Sequence, residues 1–353
     1  MKISLVTLGD PTTLTGGYLY HLKMAELAPS HDADICFVSF PERPFPLSTV
    51  AGRHVVEATR AHAPDALAID SIAAAFIAPW LHRVADLPAV GSLHQPPGGI
   101  DRGGASRALQ ARLDSYAYKR FDRLIAASEP LAAELHGLGP PVVVVPPGRD
   151  VARRQDVVDI DIRRDGGIAY LCVANWIERK GIIELLDAFA ALPRSCGVLH
   201  LVGDDAVDAG YARRVRERLS RDDLRDRVVL HGRVPKEQVA SLYRSADVFV
   251  LPSRKEPYGT VYGEAMSFGL PVVGWDAGNL PHLARHGEEG IAVALGDLAA
   301  LTAALRSLAE DKDLRVRMGE AAARRARTFP TWEQSARMFF AVFQEVVNDR
   351  RAR

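Results

Sequence analysis

The chain has 353 residues, in which 44 lysines and arginines balance 44 aspartates and glutamates. A formal charge of zero excludes a polyanion binder that works by bulk charge, so nucleic acid is not an expected partner. A composition of 48% hydrophobic and 25% charged residues excludes whole-chain disorder, and the length favours two or three compact domains over one.

The N-terminal stretch Met1–Val6 has one lysine followed by apolar residues, and Gly9-Asp10-Pro11 ends it too early for a signal peptide. It is expected to be a strand. Similar short apolar runs follow at Ile35–Phe40, Ala66–Ile69, Ala89–Leu93, Leu124–Ala127 and Val142–Val145, and with Ile3–Leu8 they read as buried strands. Helical spacing lies between them, with Leu19, Leu22 and Leu27 on one apolar face, Val55, Ala58 and Ala61 on a second, and Leu109, Leu113, Tyr116 and Ala117 on a third. Ser128 before Glu129-Pro130-Leu131 is a helix N-cap followed by a first-turn acid and proline. Strands alternating with helices through short loops predict a parallel, doubly wound sheet.

Pro146-Pro147-Gly148-Arg149-Asp150 interrupts the alternation, and a polar stretch runs on to Gly166-Gly167, which reads as an interdomain linker. The second half repeats the theme. Strands are expected at Ala169–Ala174, Val198–Val202, Val228–His231, Val248–Leu251, Val272–Trp275 and Ile291–Ala294. Helices fit Ile182–Leu192, Tyr211–Leu219, Lys236–Ser245, Glu264–Ser267, Leu298–Ala309 and Leu314–Arg327. The segment Trp332–Val347 carries Ala336, Phe339, Phe340, Phe343 and Val347 at helical spacing, a face so broad that it must dock on something. The expected domains are residues 1–150, residues 151–330, and a terminal helix over 331–353 crossing back to the first domain. Two such sheets offer a cleft, since ligands of doubly wound sheets bind outside the carboxyl ends of the strands.

Three cysteines, Cys36, Cys172 and Cys196, lie in or beside apolar runs and read as buried free thiols. No stretch approaches the ~18 apolar residues that span a bilayer, so a cytoplasmic location is expected. Arg102, Arg107, Arg112, Lys119, Arg120 and Arg123 could form a basic face for an anionic acceptor or a membrane surface. Because Asp101, Asp114 and Asp122 dilute that charge, a solvated face is the preferred reading and peripheral membrane contact is not favoured. Asp204-Asp205 and Asp222-Asp223 read as turn and helix-start acids rather than a metal loop. His200 and His231 read as structural residues inside strands, and His21 as a structural helix residue with a ligand role as the alternative.

Chemistry concentrates after the strand Val248–Leu251, in the stretch Ser253–Glu264. Glu256 and Glu264 flank a turn at Gly259, which lets backbone amides approach an anion or sugar. From the acids alone, a solvated loop before a helix with a surface acid is an equal alternative. Glu256 to Glu264, with Ala265-Met266, Gly269-Leu270-Pro271-Val272-Val273 and Ala277-Gly278-Asn279-Leu280-Pro281, resembles the donor-site signature of retaining glycosyltransferases of family four, with the GT-B fold. The resemblance extends to Leu242–Ser253, to the turn His231-Gly232-Arg233-Val234, to Leu201-Val202-Gly203-Asp204, to the linker start Val144–Asp150, and to Gly16-Gly17 with His21 and Leu22. It covers essentially the whole chain in order, and is stronger in the second half.

The resemblance implies an α/β fold of GT-B type, with two Rossmann-like doubly wound domains facing an interdomain cleft. The first domain would be the acceptor side and the second would hold a nucleotide-diphosphate sugar as co-substrate, with no further cofactor and no metal. Glu264 would bind ribose hydroxyls, a bidentate task suited to a carboxylate. Glu256 would contact hydroxyls of the transferred sugar. The backbone of Tyr258, Gly259, Thr260 and Val261 would donate to sugar and diphosphate, Lys180 would neutralise the leaving diphosphate, Gly16 and Gly17 would approach the same phosphates, and His94 would sit beside the reacting sugar. Gly203, Arg233 and Val234 would line the nucleotide site. Preoriented cations and amides stabilise charge on a leaving group most where water is excluded.

Two positions depart from the family pattern. Asn175 stands five residues before Lys180, where the family usually has an arginine; Arg179 is the candidate replacement. His282 stands where a glutamate is usual. Asn175 motivates an alternative reading, a nucleotide-sugar-binding protein that is catalytically weak or inactive. A Rossmann oxidoreductase is disfavoured because Leu8-Gly9-Asp10-Pro11 stands where Gly-x-Gly-x-x-Gly would follow the first strand.

Overall fold

The structure is a computed structural model that describes every residue except 13–15, 44–45, 101–103, 150–159, 165–166 and 353. It consists of two units, Met1–Gly148 with Pro330–Arg353, and Arg149–Phe329. Arg102 and Asp101 of the glycine-rich loop, and Asp150 with most of the polar linker, lie outside the described residues.

The first unit runs β1 (Lys2–Leu8), α1 (Gly16–Leu27), β2 (Asp34–Phe40), α2 (Gly52–Ala61), β3 (Ala66–Asp70), α3 (Ala74–Ile77), β4 (Ala89–Leu93), α4 (Gly104–Tyr118), β5 (Arg123–Ala126), α5 (Glu129–Leu135) and β6 (Val142–Val144). Its sheet has the order β2-β1-β3-β4-β5-β6. Every strand pair is parallel. The central strands β3 and β4 are buried along their whole length, which is why they read as unbroken apolar runs rather than alternating ones.

The second unit runs β7 (Ile168–Val173), α6 (Ile182–Ala190), β8 (Gly197–Val202), α7 (Ala209–Leu219), β9 (Val228–Gly232), α8 (Lys236–Ser245), β10 (Val248–Val250), α9 (Thr260–Ser267), β11 (Val272–Trp275), α10 (Leu280–Leu283), β12 (Gly290–Val293), α11 (Leu298–Glu310) and α12 (Lys312–Ala326). Its sheet order is β12-β11-β10-β7-β8-β9, again all parallel. The order reverses direction between β7 and β10, and in the first unit between β1 and β3. Such switch points open a crevice at the carboxyl ends of the strands.

The last helix, α13 (Trp332–Arg351), belongs to the first unit. Thr331 caps it, its hydroxyl accepting from the Gln334 amide while the Gln334 side chain accepts from the Thr331 amide. Phe339, Phe343 and Val346 bury against Ile3, Leu5, Val90 and Ile125 of the sheet and against Tyr20 and Met24 of α1. Gly148 lies against the Trp332 backbone, and Ser335 donates to the Pro146 carbonyl at 2.7 Å, so the segment after β6 is pinned to the helix start.

Three helix faces and one helix start differ from the expectation. In α2, Val55 is buried but Ala58 and Ala61 are exposed, and Val56 and Thr59 complete the inward row. In α1 the buried residues are Tyr20, His21 and Met24, with Leu19 and Leu22 only half-buried. In α4, Leu109 and Tyr116 are 46% exposed, and the inward row is Gln110, Asp114, Ala117 and Tyr118. Two of the polar residues on these inward rows, Asp114 and His21, meet polar partners. Asp114 accepts from the Gly98 amide at 2.8 Å, so it does not dilute the basic face of α4, and His21 meets Asp70. Helix α9 starts at Thr260, four residues before the expected Glu264. Among the cysteines, Cys172 and Cys196 are buried and Cys36 is only half-buried, its thiol 3.4 Å from His62 Nε2.

Two histidines paired between β8 and β9, His200 buried and His231 half-buried, make the second unit sensitive to acid. His200 Nε2 lies 2.9 Å from the Ile162 carbonyl and its Nδ1 lies 2.9 Å from His231 Nε2. Burial pushes His200 down to about 4, so the folded protein refuses a proton that the unfolded chain accepts below about 6.5. Stability therefore falls as the pH drops from about 6.5 towards 5, by up to ~1.4 kcal/mol per unit from this group. Denaturant unfolding at stepped pH measures the slope, and His200→Phe lowers it by about one proton's worth. Phe343 is fully buried, and Phe343→Ala lowers unfolding stability of the first unit by about 3–5 kcal/mol in chemical denaturation.

Candidate functional site

In the second unit the site residues gather at the β7/β10 switch point. The chain leaves β7 through Ala174 and Asn175, where the Trp176 amide donates to the Asp204 carbonyl at 2.9 Å and the Asp204 amide donates to Asn175 Oδ1 at 3.3 Å. Gly203 stands directly against the Ala174 carbonyl and donates to the Gly232 carbonyl at 2.9 Å. These bonds lace the carboxyl ends of β7, β8 and β9 together, and Asn175 serves that lacing with its side-chain oxygen. Arg233 is exposed and Val234 half-buried just past the end of β9.

A short turn then presents Arg179 and Lys180 towards β10. The Arg179 carbonyl accepts from the Arg254 amide at 2.7 Å and from the Ser253 hydroxyl at 3.2 Å. The Arg179 guanidinium donates to the Lys255 carbonyl at 3.0 Å and lies 3.8 Å from Glu256 Oε2. Lys180 Nζ forms an ion pair with the same oxygen, and the two side chains are only 12% and 13% exposed. Although Arg179 and Lys180 are neighbours in sequence, both reach one carboxylate.

Downstream, Gly259 caps α9 with φ of +82°, a conformation that an L side chain rarely adopts. The first amides of a helix have no acceptor within it, and in α9 these belong to Thr260 and Val261, so donors are gathered beside Glu256. Glu264 lies in the second turn of the helix and accepts from the Tyr243 hydroxyl at 3.2 Å. Burial, and then the Glu264 carboxylate, push the Tyr243 hydroxyl far above its ordinary range, so it remains a donor.

Asn279 and Tyr243 support the site, and the sequence reading did not single them out. The Asn279 amide donates to the Glu256 carbonyl at 2.9 Å and its side chain donates to the Tyr258 carbonyl at 2.7 Å. Gly278 (φ +58°) packs directly on the Glu256 backbone. The signal of Gly278 and Asn279 was present in the Gly-x-x-Pro turn at 278–281, but Asn279 acts on backbone carbonyls that a sequence does not display. His282 is exposed on α10, and its carbonyl accepts from Arg325 at 3.1 Å.

In the first unit the residues lie at the ends of β1, β3 and β4. Gly16 opens α1, and a Cβ there would meet no described atom within 4 Å, whereas at Gly17 it would sit 3.6 Å from His94 Cδ2. His94 follows β4, and its Nε2 is 3.2 Å from His21 Nε2. Burial, and then the neighbouring His21, push His94 down to about 3 against the opposing pull of Asp70, so its ring is neutral. Asp70 ends β3. Burial works against its charge, but His21, His94 and the Thr7 hydroxyl outweigh that and hold the carboxyl below its ordinary range. His21 is fully buried, as a structural histidine would be, yet it touches His94.

Among the described residues, no group of three or more His, Cys, Asp or Glu could hold a metal ion, and no helix is long and apolar enough to cross a membrane. Asp204 Oδ1 takes the Ala206 amide, Asp205 pairs with Arg216, and Asp223 pairs with Arg218, which accounts for the adjacent acid pairs.

Residues 159–325 match the family of glycosyl transferases group 1, and residues 6–148 match the glycosyl transferase 4-like domain. The D-inositol 3-phosphate glycosyltransferase of Corynebacterium kroppenstedtii is 41% identical over 113 residues, covering 32% of this chain and 25% of that protein. Glycogen synthase of Mycobacterium tuberculosis is 30% identical over 267 residues, covering 71% of this chain and 61% of the synthase. The matched segment thus spans a quarter of the first relative and less than two thirds of the second. Among solved structures, sucrose-phosphate synthase of Thermosynechococcus elongatus superposes with a TM-score of 0.84 at 19% identity, covering 99% of both chains. HepE of Anabaena, solved with UDP and glucose, superposes at 0.80 and 20% identity, covering 98% of this chain and all of that one. With both family models matched in order and both sheets of the expected topology, the chain belongs to the glycosyltransferases of family four, with the GT-B fold.

Proposed function

We propose that the protein transfers a sugar from a nucleotide-diphosphate donor to an acceptor hydroxyl with retention of configuration. The observation that carries this reading is the convergence of Lys180 and Arg179 on Glu256 at the β7/β10 switch point. Departure of a diphosphate builds negative charge on the leaving group, and fixed cations and amides lower that barrier most in a site shielded from water. Lys180 neutralises the diphosphate, the first amides of α9 and the backbone at Tyr258 and Gly259 add donors, and Arg179 supplies the charge that Asn175 does not. These groups do electrostatic work that a metal ion does in other transferases. Glu256, released from Lys180 by the competing anion, accepts from sugar hydroxyls. Glu264, held by Tyr243, takes the ribose hydroxyls. In the first unit, His94 contacts the transferred sugar, and Gly16 and Gly17 present backbone to phosphate. The relation to HepE, solved with UDP-glucose, supports a nucleotide sugar as the donor class.

A binding protein without turnover is the second reading, favoured by Asn175 and by the use of its side-chain oxygen in holding Asp204. The position of Arg179 beside Lys180 argues against it.

A thermal-shift screen with UDP, GDP and ADP and their sugars identifies the donor, since a ligand at 100 times its Kd stabilises by about 2.7 kcal/mol. With that donor, Glu256→Ala abolishes transfer and leaves nucleotide binding mostly intact, whereas Glu264→Ala chiefly weakens binding. Full turnover by both variants refutes the assignment. Arg179→Ala lowers kcat at least about tenfold if it carries the missing charge, the scale of one lost charge-stabilising contact. Gly16→Ala leaves the unfolding midpoint unchanged but impairs donor use, and full donor use would remove Gly16 from the site.

A further inference from the structure

Helix α4 turns a face to solvent that carries cations and apolar groups. Its inward row is Gln110, Asp114, Ala117 and Tyr118, all buried. On the opposite side Leu109, Arg112 and Tyr116 follow one another at steps of three and four, and Lys119 and Arg120 continue the stripe on the turn after the helix. All five are exposed. Arg112, Ser115, Tyr116, Lys119 and Arg120 line a shallow hollow of about 420 Å³. The Arg120 guanidinium lies 3.5 Å over the Tyr116 ring and donates to the Tyr116 carbonyl at 3.0 Å.

The sequence sets Asp101, Asp114 and Asp122 beside this stripe, but two of them are engaged elsewhere. Asp114 points inward to the Gly98 amide. Asp122 takes the Arg350 guanidinium at 3.0 and 3.2 Å and the Ala89 amide at 2.9 Å. Asp101 lies outside the described residues. Among the described residues no carboxylate pairs with Arg112, Lys119 or Arg120. A solvated face intersperses both signs, whereas this one joins three uncompensated cations to a leucine and a tyrosine. In a chain of zero net charge, attraction to an anionic surface is then local to this face.

We propose that this face of α4 docks on an anionic membrane surface, with Arg112, Lys119 and Arg120 on lipid phosphates and Leu109 and Tyr116 among the headgroups. Cations on the polar edge and aromatic rings at headgroup level are what an interfacial helix offers a bilayer. The contact is peripheral, since no described helix is long and apolar enough to cross a membrane. Each cation near such a surface strengthens adsorption by about fivefold, so the three together supply about a hundredfold.

Co-sedimentation of the whole protein with vesicles tests it, with no donor or acceptor present, so that the outcome is separate from the transfer chemistry. The protein is expected to pellet with vesicles of equal parts phosphatidylcholine and phosphatidylglycerol, and not with phosphatidylcholine alone. Raising the salt from about 0.1 M to about 1 M, which shortens the screening length from about 10 to about 3 Å, releases it. Arg112→Ala, Lys119→Ala and Arg120→Ala together lower the partition coefficient by about a hundredfold. Loss of three exposed cations from the second unit, through Arg213→Ala, Arg221→Ala and Arg317→Ala, leaves it nearly unchanged. Equal loss in both triple variants, or equal pelleting with both kinds of vesicle, overturns the proposal. Tyr116→Trp reads the contact directly: its emission, less that of the native protein, shifts to the blue with anionic vesicles and not with neutral ones. An unshifted emission while the protein pellets places the contact elsewhere and overturns α4 as the docking face. Absence of pelleting at low salt overturns the bilayer, and retention on immobilised polyglutamate would then identify an acidic polypeptide as the partner.

Discussion

Lys180 and Glu256 are 76 residues apart in the chain, yet their ion pair joins the loops after β7 and β10. That meeting is a consequence of strand order. The sheet grows outward from β7 through β8 to β9, then returns to place β10 on the other flank of β7. The loops leaving β7 and β10 part in opposite directions and leave their polar ends facing each other. A largely shielded ion pair of this kind gives little net stability, because desolvation offsets attraction. Its contribution is positional, and it is reinforced by bonds that do not depend on charge, from Ser253 and Arg254 to the Arg179 carbonyl and from Asn279 to the Glu256 carbonyl. The backbone is held on both sides of the charged groups, so the side chains can change partner without the loops moving.

The two units apply the same topology to different chemistry. At the crevice of the second unit two cations meet one carboxylate. At that of the first, one carboxylate backs two imidazoles, one of which is held neutral. Cations suit a polyanionic handle, and a neutral imidazole suits hydroxyl groups. The two crevices thus differ in charge because different residues end β3, β4, β7 and β10.

Much of this was legible in the sequence. The strands were, to within a residue or two at each end, because the central strands of a parallel sheet are buried on both faces and appear as plain apolar runs. Helix faces were less legible. In α1 and α4 the inward positions include His21, Gln110 and Asp114, and hydropathy assigns such residues to solvent. For His21 and Asp114 only their partners, Asp70 and the Gly98 amide, reverse that assignment, and those partners are remote in sequence. Glu256, Lys180 and Gly259 were legible because their spacing repeats a family motif. Tyr243 and Asn279 were not, since their roles reside in contacts with a carboxylate and two backbone carbonyls. The start of α9 was missed because Gly259, in a left-handed conformation, begins the helix with no side-chain cap to announce it.

The terminal helix belongs in the same argument. Tyr20 packs against His94 on one side and against Trp332 and Phe339 of α13 on the other, at 6.3 and 6.0 Å between ring centres. A segment that follows the whole second unit in sequence therefore forms the back wall of a histidine in the first. The broad apolar face that forces α13 to dock also sets how tightly that ring is held. Loss of packing at Trp332 or Phe339 would free Tyr20 to move away from the imidazole before it unfolded the sheet, because β1, β3, β4 and β5 are buried on their other face by a separate cluster of side chains. Core packing and site geometry are in this unit one constraint, transmitted through a single aromatic side chain.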